Sequence, residues 1–229
     1  MKISGFQKMT LLDFPGKVAC TIFTFGCNLR CPFCHNASLV LGGAPAEYSQ
    51  EEILSYLEKR KGLLDGVCIT GGEPLLQPDI ADFIKKIKAL GYAVKLDTNG
   101  CFPEKLKELL DSGLVDYVAM DIKNCFSKYS ETVGIRNFDV TPIKKSIEVL
   151  VSGNVNFEFR TTISKEFHTV EDIKALTKEI KGAKRYFLQN FVDSGDLIGD
   201  NLSAHQRETL EEMKREAEKT IDIVEIRGI

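Results

Sequence analysis

The sequence predicts an α/β fold built as a partial (β/α)6 barrel. Three observations carry that prediction. Short β-rich runs alternate six times with helical patterns, which implies a parallel sheet with a helix after each strand. Right-handed crossovers put every helix on one face if such a sheet curls. The residues able to do chemistry fall just past the ends of the first four predicted strands, and barrels carry their sites at C-terminal strand ends. The alternative is a doubly wound open sheet, which would place helices on both faces and would not need those residues to converge on one mouth.

The elements follow in order. Residues 18–25 (VACTIFTF) read as the first strand. Ser49-Gln50-Glu51-Glu52 is a capping box that opens a helix to about Lys59. Residues 65–70 form the second strand and end at Gly71-Gly72-Glu73-Pro74. Ile80, Phe83, Ile84 and Ile87 repeat at helical spacing until Gly91 stops the helix. Residues 93–97 are the third strand. Pro103 then opens a helix with Leu106, Leu109 and Leu110 inward, and Gly113 closes it. Residues 117–121 are the fourth strand, and Thr141-Pro142 starts a helix that ends near Ser152-Gly153. Residues 156–163 are the fifth strand, followed by a helix capped at Thr169-Val170-Glu171-Asp172. Residues 184–190 are the sixth strand, 203–219 the last helix and 221–226 a terminal strand. The expectation is one domain over residues 1–229.

Composition excludes several function classes. A net charge of −3 gives no footing for non-specific nucleic-acid binding. No run of 18 apolar residues marks a membrane span. The start, Met1 to Lys8, lacks the apolar core of a signal peptide. Unpaired cysteines fit a reducing, cytoplasmic setting.

The most informative segment is Gly26-Cys27-Asn28-Leu29-Arg30-Cys31-Pro32-Phe33-Cys34-His35-Asn36. Its C-x3-C-x2-C spacing supplies three thiolates with no fourth nearby. A cubane [4Fe-4S] cluster normally takes one cysteine per iron, so three leave one iron open. Open positions are where metal sites do chemistry. A structural zinc site would need a fourth ligand, and His35 is adjacent to Cys34, closer than usual zinc spacings allow. A disulfide framework fails because seven cysteines is an odd number and nothing resembles a secreted mini-domain. Of the remaining cysteines, Cys20 and Cys68 read as small core residues within strands. Cys101 and Cys125 follow strand-end turns and are expected near the mouth.

The cysteine loop resembles that of the radical S-adenosylmethionine enzymes, including the aromatic Phe33 before the third cysteine. Gly71-Gly72-Glu73-Pro74 resembles the family's GGE motif, which binds the amine of the methionine moiety. Asp97-Thr98-Asn99-Gly100, Asp121 and Lys123 are similar to the DTNG and D-x-K segments of glycyl-radical-enzyme activating proteins. The lead-in Asp13-Phe14-Pro15-Gly16-Lys17 is similar to theirs too, and the likeness covers essentially the whole chain. It is strongest to the activator of anaerobic ribonucleoside-triphosphate reductase.

The resemblance implies a partial barrel of the radical S-adenosylmethionine type. It also implies a [4Fe-4S] cluster on Cys27, Cys31 and Cys34, with its free iron chelating S-adenosylmethionine. Reductive cleavage would give methionine and a 5′-deoxyadenosyl radical that abstracts hydrogen from a glycine of a partner enzyme. Flavodoxin or ferredoxin would donate the electron, under anaerobic conditions. Gly71 and Gly72 would let backbone approach the ligand. Lys123 and Arg160 would contact its carboxylate, and Gln189 its adenosine end. Asp97, Thr98, Asp121 and the Ala119 carbonyl would hold a monovalent cation. Alongside these roles stand plainer ones. Glu73 either bonds the ligand or holds its loop, Arg160 forms an ion pair with Glu158 or Asp97, and Lys123 is a solvated lysine. His168 and His205 read as surface residues. Two other functions remain open: a radical enzyme with a small-molecule substrate, such as 7-carboxy-7-deazaguanine synthase, and a non-catalytic iron–sulfur electron carrier.

Overall fold

The alternation along the chain becomes one sheet of eight strands whose order follows the sequence. The computed structural model describes residues 1–42 and 47–228. The strands are β1 (Ile3–Thr10), β2 (Ala19–Thr24), β3 (Gly66–Gly71), β4 (Ala93–Thr98), β5 (Tyr117–Asp121), β6 (Asn156–Ile163), β7 (Arg185–Asn190) and β8 (Ile223–Arg227). The pairing of β1 with β2 is antiparallel and every later pairing is parallel. An order without reversal has no switch point, so the doubly wound sheet is excluded.

The helices are α1 (Ala37–Leu41), α2 (Gln50–Lys59), α3 (Ile80–Ala89), α4 (Pro103–Asp111), α5 (Tyr129–Thr132), α6 (Thr141–Ser152), α7 (Val170–Glu179) and α8 (Arg207–Ala217). Six of them, α2, α3, α4, α6, α7 and α8, follow β2 to β7 one by one, as six βα units require. Both expected capping boxes form. Ser49 accepts from the Glu52 amide and Thr169 from the Asp172 amide, each with the return bond.

Strand alternation sorts the side chains by face. Ile22, Ile69, Leu96, Val118, Phe159 and Leu188 pack with helix residues such as Leu57, Phe83, Leu106 and Met213 in one core. The opposite parity points into the curl, where Thr21, Thr70, Asp97, Asp121, Arg160 and Gln189 line a cavity of about 460 Å³. A greasy outer face and a polar lumen are what a barrel with an internal site demands.

Three expectations change. The strand Ile3–Thr10 is absent from the sequence reading, because an edge strand pairs on one side only and Gln7, Lys8 and Met9 stay exposed. The last helix starts at Arg207, not 203. Ser203 is drawn away to Glu166, and the His205 amide bonds Asn190. Cys68 is buried but faces the lumen, its Sγ 3.8 Å from Asp97 Oδ1, whereas Cys20 does sit in the core. No helix among the described residues is long and apolar enough to cross a membrane.

Deeper in the lumen, Glu158 is 1% exposed. The Tyr117 hydroxyl donates to it at 2.8 Å and Arg227 at 3.1 Å, with the guanidinium stacked 3.5 Å over the Phe187 ring. Arg227→Met should therefore cost on the order of 2 kcal/mol in urea denaturation, discounted because the arginine is partly exposed. Adding Glu158→Gln should recover part of that loss.

Candidate active site at the barrel mouth

The loop after β2 carries the three cysteines, and Cys27, Cys31 and Cys34 all line the cavity. The loop is held from several sides. Arg30 folds back to donate to the carbonyls of Cys27 (2.7 Å) and Leu29 (2.8 Å), while its amide reaches Val133 O. Gly134, at φ +66°, leaves room for the Arg30 carbonyl, which a Cβ would approach to 2.3 Å. Gly199 N–H donates to Pro32 O at 2.8 Å. Phe33 is buried edge-on against Phe167 and His168, so it fixes the loop as well as lining the cavity. Burial pushes the Cys31 thiol up to about 12, against the opposing pull of Lys123.

Gly71 and Gly72, in the turn after β3, line the cavity and also pack against backbone. A Cβ on Gly71 would lie 2.3 Å from Thr24 N, and one on Gly72 only 2.0 Å from Gly26 O. Gly71 thus makes room for the end of β2 and Gly72 for the cysteine loop's own backbone, to which Glu73 N–H also donates at 2.8 Å. Of the two roles for Glu73, the loop-holding one is what the structure contains. The side chain is 0% exposed and accepts from Leu75 N–H (3.0 Å), Thr98 O–H (2.8 Å) and Asn99 N–H (2.7 Å). Thr98 is correspondingly committed to Glu73. Asn99 sends Nδ2 to Cys27 Sγ (3.7 Å) and Asn28 Oδ1 (2.9 Å).

On the facing wall, β4, β5 and β6 supply a closed ion network. Asp97 Oδ1 takes the Lys95 ammonium and Oδ2 takes Arg160 at 3.1 Å. Asp121 Oδ1 takes Arg160 Nε at 2.9 Å and Oδ2 takes Lys123 at 2.9 Å. Arg160 therefore pairs with Asp97, as one expectation had it, and with Asp121 rather than Glu158. Burial disfavours both carboxylates' charge, but Arg160 with Lys95 or Lys123 outweighs it and holds each below its ordinary range. Burial likewise opposes the Lys123 charge, and Asp121 overcomes it. Lys123 is 14% exposed, so the solvated-lysine reading is wrong.

His168 corrects another expectation, being fully buried. Its Nδ1 accepts from Ser164 N–H at 3.2 Å and its Nε2 donates to Lys123 O at 2.8 Å. It ties the Lys123 loop to Phe33. A histidine just ahead of a capped helix looks like surface, which is why sequence reasoning missed it. His205 is half-buried and reaches His168 O at 2.9 Å. Gln189 lines the cavity; Cys101 does not, but it lies near the mouth as expected, beside Asn28 and Cys27 of the cysteine loop, whereas Cys125 is buried in the core.

The donor set suits a cluster. Among the described residues no three His, Cys, Asp or Glu side chains converge on a point for one ion. A cubane instead takes one thiolate per iron, spread around its body. The cavity beside the thiolates is of the size that encloses a small ligand.

Comparison with known proteins agrees. A profile of the radical SAM superfamily matches residues 21–166. A Methanocaldococcus jannaschii protein, provisionally described as a glycyl-radical enzyme activating enzyme, is 36% identical over 234 residues, covering 99% of this chain and 96% of the relative. The pyruvate formate-lyase-activating enzyme of Clostridium pasteurianum is 28% identical over 208 residues, covering 81% of this chain and 85% of the relative. Among solved structures, Streptococcus suis SuiB bound to precursor peptide SuiA shares the fold with a TM-score of 0.69 at 18% identity. That match covers 91% of this chain and 48% of SuiB. The chain belongs to the radical SAM superfamily, whose enzymes use a [4Fe-4S] cluster and S-adenosylmethionine. Within it, the chain stands among the glycyl-radical-enzyme activating enzymes, an oxidoreductase group.

Two outcomes follow for the site's frame. Gly72→Ala should lower cluster content on anaerobic reconstitution, read by iron and sulfide analysis, because the methyl group must displace the Gly26 carbonyl. The second concerns pH. Burial raises the Glu73 carboxyl from 4.5 to about 7 and lowers His168 from 6.5 to about 4. Between pH 4.5 and 7 folded Glu73 keeps a proton that the unfolded chain has lost, so its contribution falls as pH rises. Between pH 4 and 6.5 the unfolded chain holds a proton that folded His168 lacks, so its contribution rises with pH. Each is on the order of 3 kcal/mol and the two oppose. In ligand-free protein, His168→Gln should unmask stability that falls with pH, and Glu73→Gln stability that rises, in urea titrations from pH 4.5 to 7.

Proposed function

We propose that Cys27, Cys31 and Cys34 hold a [4Fe-4S] cluster with one iron open, and that S-adenosylmethionine binds in the adjoining cavity. On this reading the enzyme installs a glycyl radical on a partner protein, with anaerobic ribonucleoside-triphosphate reductase the foremost candidate. The observation that carries the proposal is the placement of three cavity-lining cysteines opposite a network of three cations and two carboxylates.

When bound, the reduced cluster supplies the electron that splits S-adenosylmethionine into methionine and a 5′-deoxyadenosyl radical, which takes hydrogen from the partner's glycine. The chain's own residues position and shield. Lys123 and Arg160 present the network's excess positive charge to the ligand carboxylate. Asn99 donates toward the Cys27 sulfur, Phe33 and His168 hold the loop, and Gln189 meets the adenosine end. Residues 1–229 act as one domain, working in the cytoplasm with a reduced flavodoxin or ferredoxin as electron donor. The net charge of −3 favours recognition of the glycine loop by shape and a few polar contacts over long-range steering.

Anaerobic reconstitution should give about four irons per chain. Cys31→Ala should abolish both the cluster and S-adenosylmethionine cleavage, and retention of both would sink the assignment. Lys123→Ala should weaken S-adenosylmethionine binding by roughly 1.5–3 kcal/mol, as loss of a charged hydrogen bond does. With the right reductase present, cleavage should accelerate and a doublet glycyl-radical signal should appear in electron paramagnetic resonance. That signal should vanish when the partner's glycine is changed to alanine. Stimulation by a small molecule, with no radical on any glycyl radical enzyme, would favour the deazaguanine-synthase type of activity instead.

A further inference from the structure

The monovalent cation implied by the likeness to activating enzymes meets a site that is already filled with charge. Its two aspartates have four carboxylate oxygens, and each is engaged by a cation of this chain. Lys95 and Arg160 hold Asp97, and Arg160 and Lys123 hold Asp121. Arg160 bridges the two carboxylates, so an ion between them would lie against its guanidinium. Thr98, the third expected ligand, gives its hydroxyl proton to Glu73 and its oxygen to Gly100 N–H.

Lys95 is the unforeseen member. It lies two residues before Asp97 on the same strand, so both point into the lumen. Its side chain is 2% exposed. Its other polar neighbour is the Cys68 sulfur at 3.8 Å, which burial and then Asp97 keep as a neutral thiol. Among the described residues the ammonium forms one ion pair, with Asp97. Without Lys95, Arg160 and Lys123 would only balance Asp97 and Asp121. With it, these five side chains carry one net positive charge, as they would with a bound sodium or potassium ion in its place; Asp13, which also lines the cavity, is bonded instead by the Thr21 hydroxyl.

We infer that the Lys95 ammonium takes the place of the monovalent cation, so that this protein binds the carboxylate of S-adenosylmethionine without sodium or potassium. The inference rests on that carboxylate binding at this network, as proposed above.

Calorimetry of S-adenosylmethionine binding to the reconstituted protein tests it, in sodium, potassium and tetramethylammonium buffers of equal ionic strength. The wild-type affinities should agree within about twofold. Lys95→Met should lose tenfold or more in tetramethylammonium and regain affinity saturably as potassium or sodium is added. A tenfold gain of wild-type affinity with either ion would overturn the inference. So would a folded, cluster-bearing Lys95→Met protein that keeps full, cation-independent affinity. If that variant does not fold, wild-type crystals soaked in thallium(I) decide. No anomalous peak between Asp97 and Asp121 supports the inference, and a peak there refutes it. Lys123→Ala separates the two levels. Unchanged affinity in that variant means the ligand lies elsewhere and the site reading itself fails. Weakened binding there, with Lys95→Met unaffected, removes the inference alone.

Discussion

A buried carboxylate is the constraint on which this site depends. Glu73 gathers the amides of Leu75 and Asn99 and the Thr98 hydroxyl, while its own amide bonds Gly26. Three strand ends, those of β2, β3 and β4, are thereby fixed to one another with no side chain reaching solvent. Asn99, held in this way, then reaches the Cys27 sulfur. A fully buried polar group is costly unless satisfied, so any slippage of one strand end leaves Glu73 short of partners. That penalty sharpens the geometry of a loop that has little regular structure of its own.

The opposite wall solves a similar problem with charge. Arg160, Lys95 and Lys123 would each be costly inside a barrel alone, as would Asp97 and Asp121. Interleaved, they satisfy one another and leave one positive charge in surplus, with Asp97, Asp121, Lys123 and Arg160 lining the cavity. The network has little slack, because Arg160 serves both aspartates and loss of either partner strands a buried charge. His168, under the Lys123 loop and against Phe33, links this wall to the cysteine loop. Neutral histidine suits that position: one ring nitrogen accepts and the other donates, which a protonated ring could not do.

Much of this was legible in the sequence. The cysteine spacing, the six strand–helix repeats, both capping boxes and the strand-end placement of Asp97, Asp121 and Lys123 all follow from local patterns. What escaped depends on contacts between segments far apart in the chain. Gly72 lines the cavity, but that its missing Cβ also makes room for the Gly26 carbonyl is visible only in the fold. The strand Ile3–Thr10 lacks a clean alternation because it is a half-exposed edge. Lys95 could have been found: in a strand covered on both faces, residues two apart share a face, so a lysine two before Asp97 must enter the lumen with it. His168 left no such local signal.

The central claim is that three cysteines hold a four-iron cluster and leave one iron for S-adenosylmethionine. Mössbauer spectroscopy of protein reconstituted with iron-57 tests it most directly. Before ligand is added, the irons should appear as a [4Fe-4S] cluster. On addition of S-adenosylmethionine, about one quarter of the absorption should move to a distinct isomer shift, since one iron in four gains nitrogen and oxygen ligands. A spectrum unchanged by saturating ligand, or a cluster type other than the cubane, would contradict the account.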